Sequence, residues 1–201
     1  MSSQSVSIGK PKQIFAQGAL DGSCFLYCII NSFVALSSKP ANVTKKWISE
    51  KWERPLSSLP FKLDDFLIGP GTSKIDEDLD CLEGLCRAYF QGIPSAKMQV
   101  TGKGNISTKS LRAALTTNQV AIVAIPKSAD HWLCIVDADK DCFYAACSAQ
   151  ALYPVPSNEE YCERKSPNHH RLYNRVLTVK QLEIWKDYAI LITNVGAKGQ
   201  A

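Results

Sequence analysis

Histidine is scarce in this chain, with only three among 201 residues. The sequence also lacks any run of eighteen apolar residues and opens on a polar stretch, so neither a membrane-spanning helix nor a secretory signal peptide is expected. Lysine and arginine are scattered rather than arranged in a stripe, and the net charge of +4 is mild. We therefore expect no nucleic-acid partner and no membrane partner. A cytoplasmic location is expected, or export by a secretion system that uses no signal peptide.

Cysteine is plentiful, but the patterns of a disulfide scaffold or a zinc site are missing. The eight cysteines form no paired CxxC units, and 201 residues is long for a disulfide-stapled mini-domain. Cys162 has His169 and His170 nearby but no second cysteine pair, so no zinc site is expected. Within apolar segments, free cysteine behaves as a small hydrophobic residue, and four lie there: Cys28, Cys134, Cys142 and Cys147. Reduced cysteines, no metal and no cofactor are expected.

The order of secondary-structure signals predicts an α+β domain, with helices packed on a mostly antiparallel sheet. Helices are predicted at 22–37, from 42 or 44 to 52, and at 76–89, 108–116 and 180–185. Strands are predicted at 99–101, 120–125, 131–136, 142–147, 176–179 and 188–192. The segment 55–73 is rich in Pro, Gly and Ser and predicts a surface loop. A single domain is expected over 13–195, between a flexible N-terminus at 1–12 and a flexible tail at 196–201.

Cys24 stands where a thiol nucleophile is expected, at the start of an apolar helix. Asp21 is predicted to be the N-cap, which makes Cys24 the third helical residue of a buried central helix. Unpaired N–H groups and the helix dipole at this first turn stabilise a thiolate, which is the attacking form of cysteine. Gly22 leaves room for a substrate carbonyl, and with Ser23 it is predicted to line the substrate-binding site.

The chain also offers a base and an oxyanion donor. His131 opens a predicted strand, from which its imidazole can reach the sulfur as general base. Gln17, upstream of Cys24, carries an amide that can donate to an oxyanion together with the Cys24 backbone N–H. Trp132 follows the base and is interpreted either as a lid over the imidazole, on the substrate-binding side, or as a core residue. The other two histidines lie in the polar segment 167–171, which is predicted to be an exposed loop.

This set of residues resembles the papain-like superfamily of cysteine peptidases, which has an upstream Gln, a Cys opening a buried helix and a later His opening a hairpin. Asp-Gly-Ser-Cys-Phe at 21–25 is similar to the box of ovarian-tumour-type deubiquitinases. His-Trp-Leu-Cys-Ile-Val-Asp at 131–137 is similar to bacterial papain-like peptidases, including those that cut double-glycine leader peptides. The gap from Gln17 to Cys24 exceeds the usual spacing, which leaves Gln13 as an alternative donor.

The resemblance also implies an Asn or Asp that orients the histidine, located on the strand that returns from the hairpin. Pairing across the turn places this residue at 146–148, where the chain has Ala, Cys and Ser. Ser148 or Gln150 can fill the role instead, and a Cys-His-Gln set resembles some bacterial effector deamidases and hydrolases of this fold. Asp137 and Asp139 qualify only if the hairpin bends differently.

Three functions follow from the resemblance. The first is a hydrolase that cleaves a peptide or isopeptide bond of a protein or peptide substrate by a Cys-His mechanism. The second is an effector-type glutamine deamidase or a transglutaminase-like enzyme with the same two residues. The third is a catalytically inactive papain-like module that binds a protein partner, as the missing Asn or Asp favours. In that case Cys24 is a buried structural cysteine like Cys28. The substrate's identity and the oligomeric state have no signal in the sequence.

Overall fold

Helices come first along the chain and strands follow. The computed structural model describes residues 14–15, 23–37, 44–57, 78–93, 95–125, 131–149, 162–163 and 171–197. Its helices are α1 (Cys24–Leu36), α2 (Lys45–Ser57), α3 (Leu79–Gln91) and α4 (Thr108–Ala114), with 3-10 turns at Trp185–Asp187 and Val195–Ala197. Its strands are β1 (Met98–Lys103), β2 (Gln119–Ile125), β3 (His131–Ala138), β4 (Cys142–Ala146), β5 (Cys162–Glu163), β6 (Leu172–Tyr173), β7 (Arg175–Thr178) and β8 (Ala189–Asn194).

Six of these strands form one sheet in the order β1-β8-β2-β3-β4-β7. Every neighbouring pair in it is antiparallel, and β5 and β6 form a separate antiparallel pair. The last strand of the chain, β8, inserts between β1 and β2. The predicted α+β class with an antiparallel sheet is therefore confirmed. Strand β3, which begins at His131, lies in the interior of the sheet.

Successive residues of the central strands β2 and β3 are buried. Because their side chains point alternately to opposite faces, both faces of the sheet's centre are buried. One face packs against α1 and belongs to the larger core, which includes Phe25, Ile29, Ile122, Trp132, Cys134 and Ile190. The other face packs against α4 and forms a second core. This core includes Leu111, Val123, Leu133, Ile135, Phe143, Cys147 and Leu177. The alternation along β3 thus places Trp132 on the α1 face and Leu133 on the opposite face.

Helix α1 is the buried central helix that the sequence predicts, with eleven of its thirteen residues buried. It begins at Cys24, with Ser23 as N-cap and no side-chain capping bond. Cys24 is therefore the first helical residue and not the third, and Asp21 lies outside the described residues. Asn31 ties the entering chain to α1, since its amide accepts from Phe15 N–H at 2.8 Å and donates to Phe15 O at 3.2 Å.

The second helix is longer than predicted. Helix α2 continues to Ser57 and contains Pro55, so the predicted loop at 55–73 is wrong at its first three residues; its remainder lies outside the described residues. Trp52 stacks obliquely on Tyr89 of α3 with ring centroids 4.6 Å apart. This packing helps to keep the last turn helical despite the proline, because tertiary contacts commonly override local propensity.

The other boundaries differ by a few residues, except near 180. Helix α3 starts after Asp78, whose carboxylate accepts from Cys81 N at 2.9 Å. The helix predicted at 180–185 is wrong: the chain turns there and forms only the 3-10 turn Trp185–Asp187. Lys186 and Asp187 have φ values of 51° and 48°, a left-handed backbone that interrupts a right-handed helix. None of the described helices is long and apolar enough to cross a membrane.

Candidate active site

The start of α1 meets the start of β3, which brings two sequence-predicted residues to one place. Cys24 is 5% exposed, and its Sγ accepts a hydrogen bond from the backbone N–H of Trp132 at 3.5 Å. That nitrogen is two covalent bonds from the Cα of His131, so the sulfur lies within about 6 Å of this Cα. The fold thereby joins residues that are more than a hundred positions apart in the chain.

The imidazole of His131 is half-buried and contacts a second thiol. Its Nε2 lies 3.2 Å from the Sγ of Cys147. Burial, followed by the positive charge of Arg175, lowers the pKa of His131 to about 4. The ring is therefore neutral at neutral pH, with one ring nitrogen free of a proton and able to act as a base.

Cys147 follows the end of β4 and is 1% exposed. A side chain from the β6–β7 junction fixes its backbone. The Cys147 N–H donates to Asn174 Oδ1 at 2.7 Å, and Asn174 Nδ2 donates to Cys147 O at 2.9 Å. Pairing across the turn predicts that the residue facing the histidine lies at 146–148, but the sequence offers no signal for Asn174. The two residues are 27 positions apart, and no local pattern links them.

The two aspartates considered as orienting residues lie toward the other end of the hairpin. Strand β3 rises about 3.3 Å per residue, so Asp137 is about 20 Å from His131 along the strand. The Asp139 carboxylate accepts from the backbone N–H groups of Asp141 and Cys142 at 2.9 and 2.8 Å. It is therefore a turn residue. The register shift between Ile135 and Asp137 does not change this arrangement.

The remaining predicted site residues divide into buried ones and ones the structure does not describe. Ser23 and Ser148 are 2% and 0% exposed. The Trp132 indole is 2% exposed and meets Phe25 edge-on at 4.9 Å, so of the two interpretations the structure shows the core residue. Four predicted residues lie outside the described part of the chain: Gln13, Gln17, Gly22 and Gln150.

Three other buried thiols have a raised pKa, which disfavours the nucleophilic thiolate form. None of the seven cysteines whose side chains the structure describes is in a disulfide. Burial raises the pKa of Cys134 to about 12 and also raises the pKa of Cys28 and Cys86. These three thiols remain protonated at neutral pH, and the thiolate is the reactive form. Cys142, predicted to lie in an apolar segment, is only half-buried.

Arg171 corrects the prediction that 167–171 is an exposed loop. It is 3% exposed, and its guanidinium donates to four backbone carbonyls: Thr116 O, Thr117 O, Gln119 O and Val136 O. Burial lowers the pKa of Arg171, and Asp137 opposes that effect. Arg171 therefore connects the chain just before β6 to the start of β2 and to β3. The two histidines of the segment lie outside the described residues.

Within the part of the chain that the structure describes, no group of three His, Cys, Asp or Glu residues is arranged to bind a metal ion. No protein-family model matches the chain, and a comparison with curated proteins finds no match.

Proposed function

We propose that this protein is a cysteine hydrolase of papain-like fold that cleaves an amide bond in a protein or peptide substrate. The supporting observation is the 3.5 Å contact between Cys24 Sγ and the backbone N–H of Trp132, which brings a helix-start thiol beside His131. The fold supports the proposal as well. A buried helix that begins with the cysteine packs on an antiparallel sheet, and the histidine opens one of its hairpins.

The proposed reaction begins with proton transfer. Neutral His131 takes the proton of the Cys24 thiol, and the thiolate attacks the substrate carbonyl to form a tetrahedral oxyanion. The Cys24 backbone N–H and the Gln17 amide are the proposed donors to that oxyanion. As the intermediate collapses, the C–N bond breaks and the imidazolium gives its proton to the leaving amine.

The thioester that results is then hydrolysed. His131 removes a proton from a water molecule, the hydroxide adds to the thioester carbonyl, and the C–S bond breaks. The products are a carboxylic acid and the Cys24 thiol, with His131 neutral again. The lowered pKa of His131 means that the resting imidazole is neutral and becomes charged only when it takes a proton during the reaction.

Thiol alkylation tests the proposal without a known substrate. Iodoacetamide at pH 7 should modify Cys24 faster than the buried cysteines Cys28 and Cys134, as followed by peptide mass spectrometry. His131→Ala should slow modification of Cys24 at least about 10-fold, because the thiol then loses its base. Gln119→Ala is the matched control, because Gln119 also opens a central strand and is half-buried, but lies at the opposite end of the antiparallel β2–β3 pair. Equal modification of all the thiols, or no effect of His131→Ala, contradicts the proposal.

A catalytically inactive binding module is the second candidate, and the position of Cys147 favours it. A thiol contacts His131 where the resemblance implies an Asn or Asp. If this candidate is correct, Cys24→Ala leaves partner binding intact and no peptide or isopeptide substrate is cleaved. Product analysis with an added amine separates hydrolysis from acyl transfer, and release of ammonia from glutamine side chains identifies deamidation.

A further inference from the structure

We propose that Cys147 is the residue that positions the His131 imidazole, and that Asn174 in turn fixes Cys147. This inference rests on the proposed function, since it concerns the base of the same reaction. Its first support is the 3.2 Å distance between His131 Nε2 and Cys147 Sγ. Its second is the pair of hydrogen bonds between the Asn174 side chain and the Cys147 backbone.

The proposed arrangement uses the tautomer of the histidine that carries its proton on Nε2. A neutral imidazole carries a single N–H, and a thioether or thiol sulfur is a weak acceptor. When Nε2–H donates to Cys147 Sγ, Nδ1 is left with a lone pair and can take the Cys24 proton. Cys147 thus does the orienting work that a carboxylate or amide oxygen does in comparable sites.

A thiol differs from a carboxylate in charge, and this difference has a consequence for pH. A carboxylate beside the imidazole would stabilise the imidazolium and raise its pKa. Cys147 has no carboxylate, and burial and Arg175 lower the pKa of His131 to about 4. Cys147 therefore orients the ring while leaving it neutral.

The hydrogen bonds of Asn174 to the Cys147 backbone restrict where the Cys147 sulfur lies. Regular pairing of β4 with β7 ends at Ala145 and Arg175, and the Asn174 N–H still donates to Ala145 O at 3.1 Å. Beyond that point the Asn174 amide supplies both a donor and an acceptor to Cys147, as a paired strand would. With its backbone fixed and its side chain 1% exposed, Cys147 has little freedom to move its sulfur away from His131.

The test compares Cys147→Ala, Asn174→Ala and Cys147→Asp with the wild-type protein, and uses Cys142→Ala as the matched control. Cys142 is also on β4 but lies at the turn end of the hairpin, away from His131. The measured quantity is the rate constant of Cys24 alkylation by iodoacetamide between pH 4 and pH 8. Cys147→Ala should lower it about 10-fold at pH 7, and Asn174→Ala should lower it by a smaller factor.

Cys147→Asp tests the positioning role through the pH profile of Cys24 alkylation, which a purely structural role of Cys147 would leave unchanged. A carboxylate beside His131 should raise the pKa of the imidazole, so the acidic limb of the alkylation profile should shift upward by at least about one pH unit. Cys142→Ala should leave both rate and profile unchanged. Thermal unfolding of each variant shows whether it is folded under the assay conditions.

The outcomes separate this inference from the proposed function. If His131→Ala does not slow Cys24 alkylation, the proposed function fails. If His131→Ala slows it but Cys147→Ala and Asn174→Ala do not, the hydrolase proposal stands and the positioning role is wrong. Should the Cys147 variants unfold, nitrogen-15 NMR of the wild-type histidine decides, since a proton on Nδ1 rather than on Nε2 overturns the inference.

Discussion

Arg171→Met should destabilise the protein strongly, although position 171 belongs to a segment whose sequence predicts an exposed loop. The guanidinium is buried and donates to four carbonyls, two of them at 2.9 and 3.1 Å. Methionine fills much of the same volume but has no donor. The carbonyls of the turn before β2 and of Val136 on β3 would then lose their charge-assisted bonds.

The expected loss of stability is the difference between the hydrogen-bond energy of the guanidinium and the cost of its desolvation. Hydrogen bonds to a charged group contribute about 1.5 kcal/mol each at the low end, so four contribute about 6 kcal/mol. Desolvation of the buried guanidinium, which also lowers the pKa of Arg171, offsets several kcal/mol of this. A net loss of about 3 kcal/mol in the free energy of unfolding is expected for Arg171→Met. Arg171→Lys should lose nearly as much, because an ammonium has only three donors and lacks the planar fork.

Urea denaturation at pH 7, followed by tryptophan fluorescence, measures the effect. Lys180→Met is the matched control, because Lys180 is an exposed cation in the turn after β7 and its replacement should change stability by less than about 0.5 kcal/mol. A loss below about 1 kcal/mol for Arg171→Met would refute the reasoning. It would mean that desolvation cancels the four hydrogen bonds.

Two further predictions concern titration and packing. The pKa of His131 is lowered from 6.5 to about 4 by burial and by Arg175, so the unfolded chain binds a proton more tightly than the folded one between these values. The contribution of His131 to stability should be full above pH 6.5 and fall as the pH drops toward 4. Urea denaturation measures the free energy of unfolding at pH 7.5 and at pH 5. Between these two pH values His131→Gln should lose about 1 to 2 kcal/mol less of this free energy than wild type does, after allowance for the partial exposure of the ring. Gly102→Ala should cost about 1 to 3 kcal/mol in the same assay, because the new Cβ would lie 1.5 Å from Glu83 Oε1 and 2.1 Å from the Tyr188 hydroxyl, which are hydrogen-bonded to each other. An unchanged midpoint for Gly102→Ala would mean that Glu83 moves away without loss.

Much of the candidate site follows from local sequence signals. The segment after Cys24 is apolar on nearly all sides and predicts a buried helix, and two apolar runs on either side of the turn at 137–141 predict a hairpin; both are present. Counting across the turn also predicts that a residue at 146–148 lies close to the histidine, and Cys147 of this range contacts it. These features are accessible because helix and strand periods depend on neighbouring residues alone.

Other parts of the site depend on contacts between distant segments. Asn174 reaches Cys147 from a strand junction 27 residues away, and Arg171 binds carbonyls more than thirty positions distant. Polar residues of this kind have no periodic pattern, so a sequence alone suggests a loop. The error at Pro55 has the same origin, since the contact of Trp52 with Tyr89 of α3 joins two segments that are distant in the chain.

The sequence by itself determined the class of the fold, a buried helix that includes Cys24 and a strand that begins at His131, because local hydrophobic patterning specifies such elements. Only the tertiary structure decided that the two starts meet, with Cys24 Sγ 3.5 Å from the Trp132 nitrogen. The tertiary structure alone also gave His131 a thiol neighbour and buried Arg171 among carbonyls. Contacts between residues distant in the chain arise when the order of the strands brings remote backbone groups together. Burial then requires each polar group to have a hydrogen-bond partner.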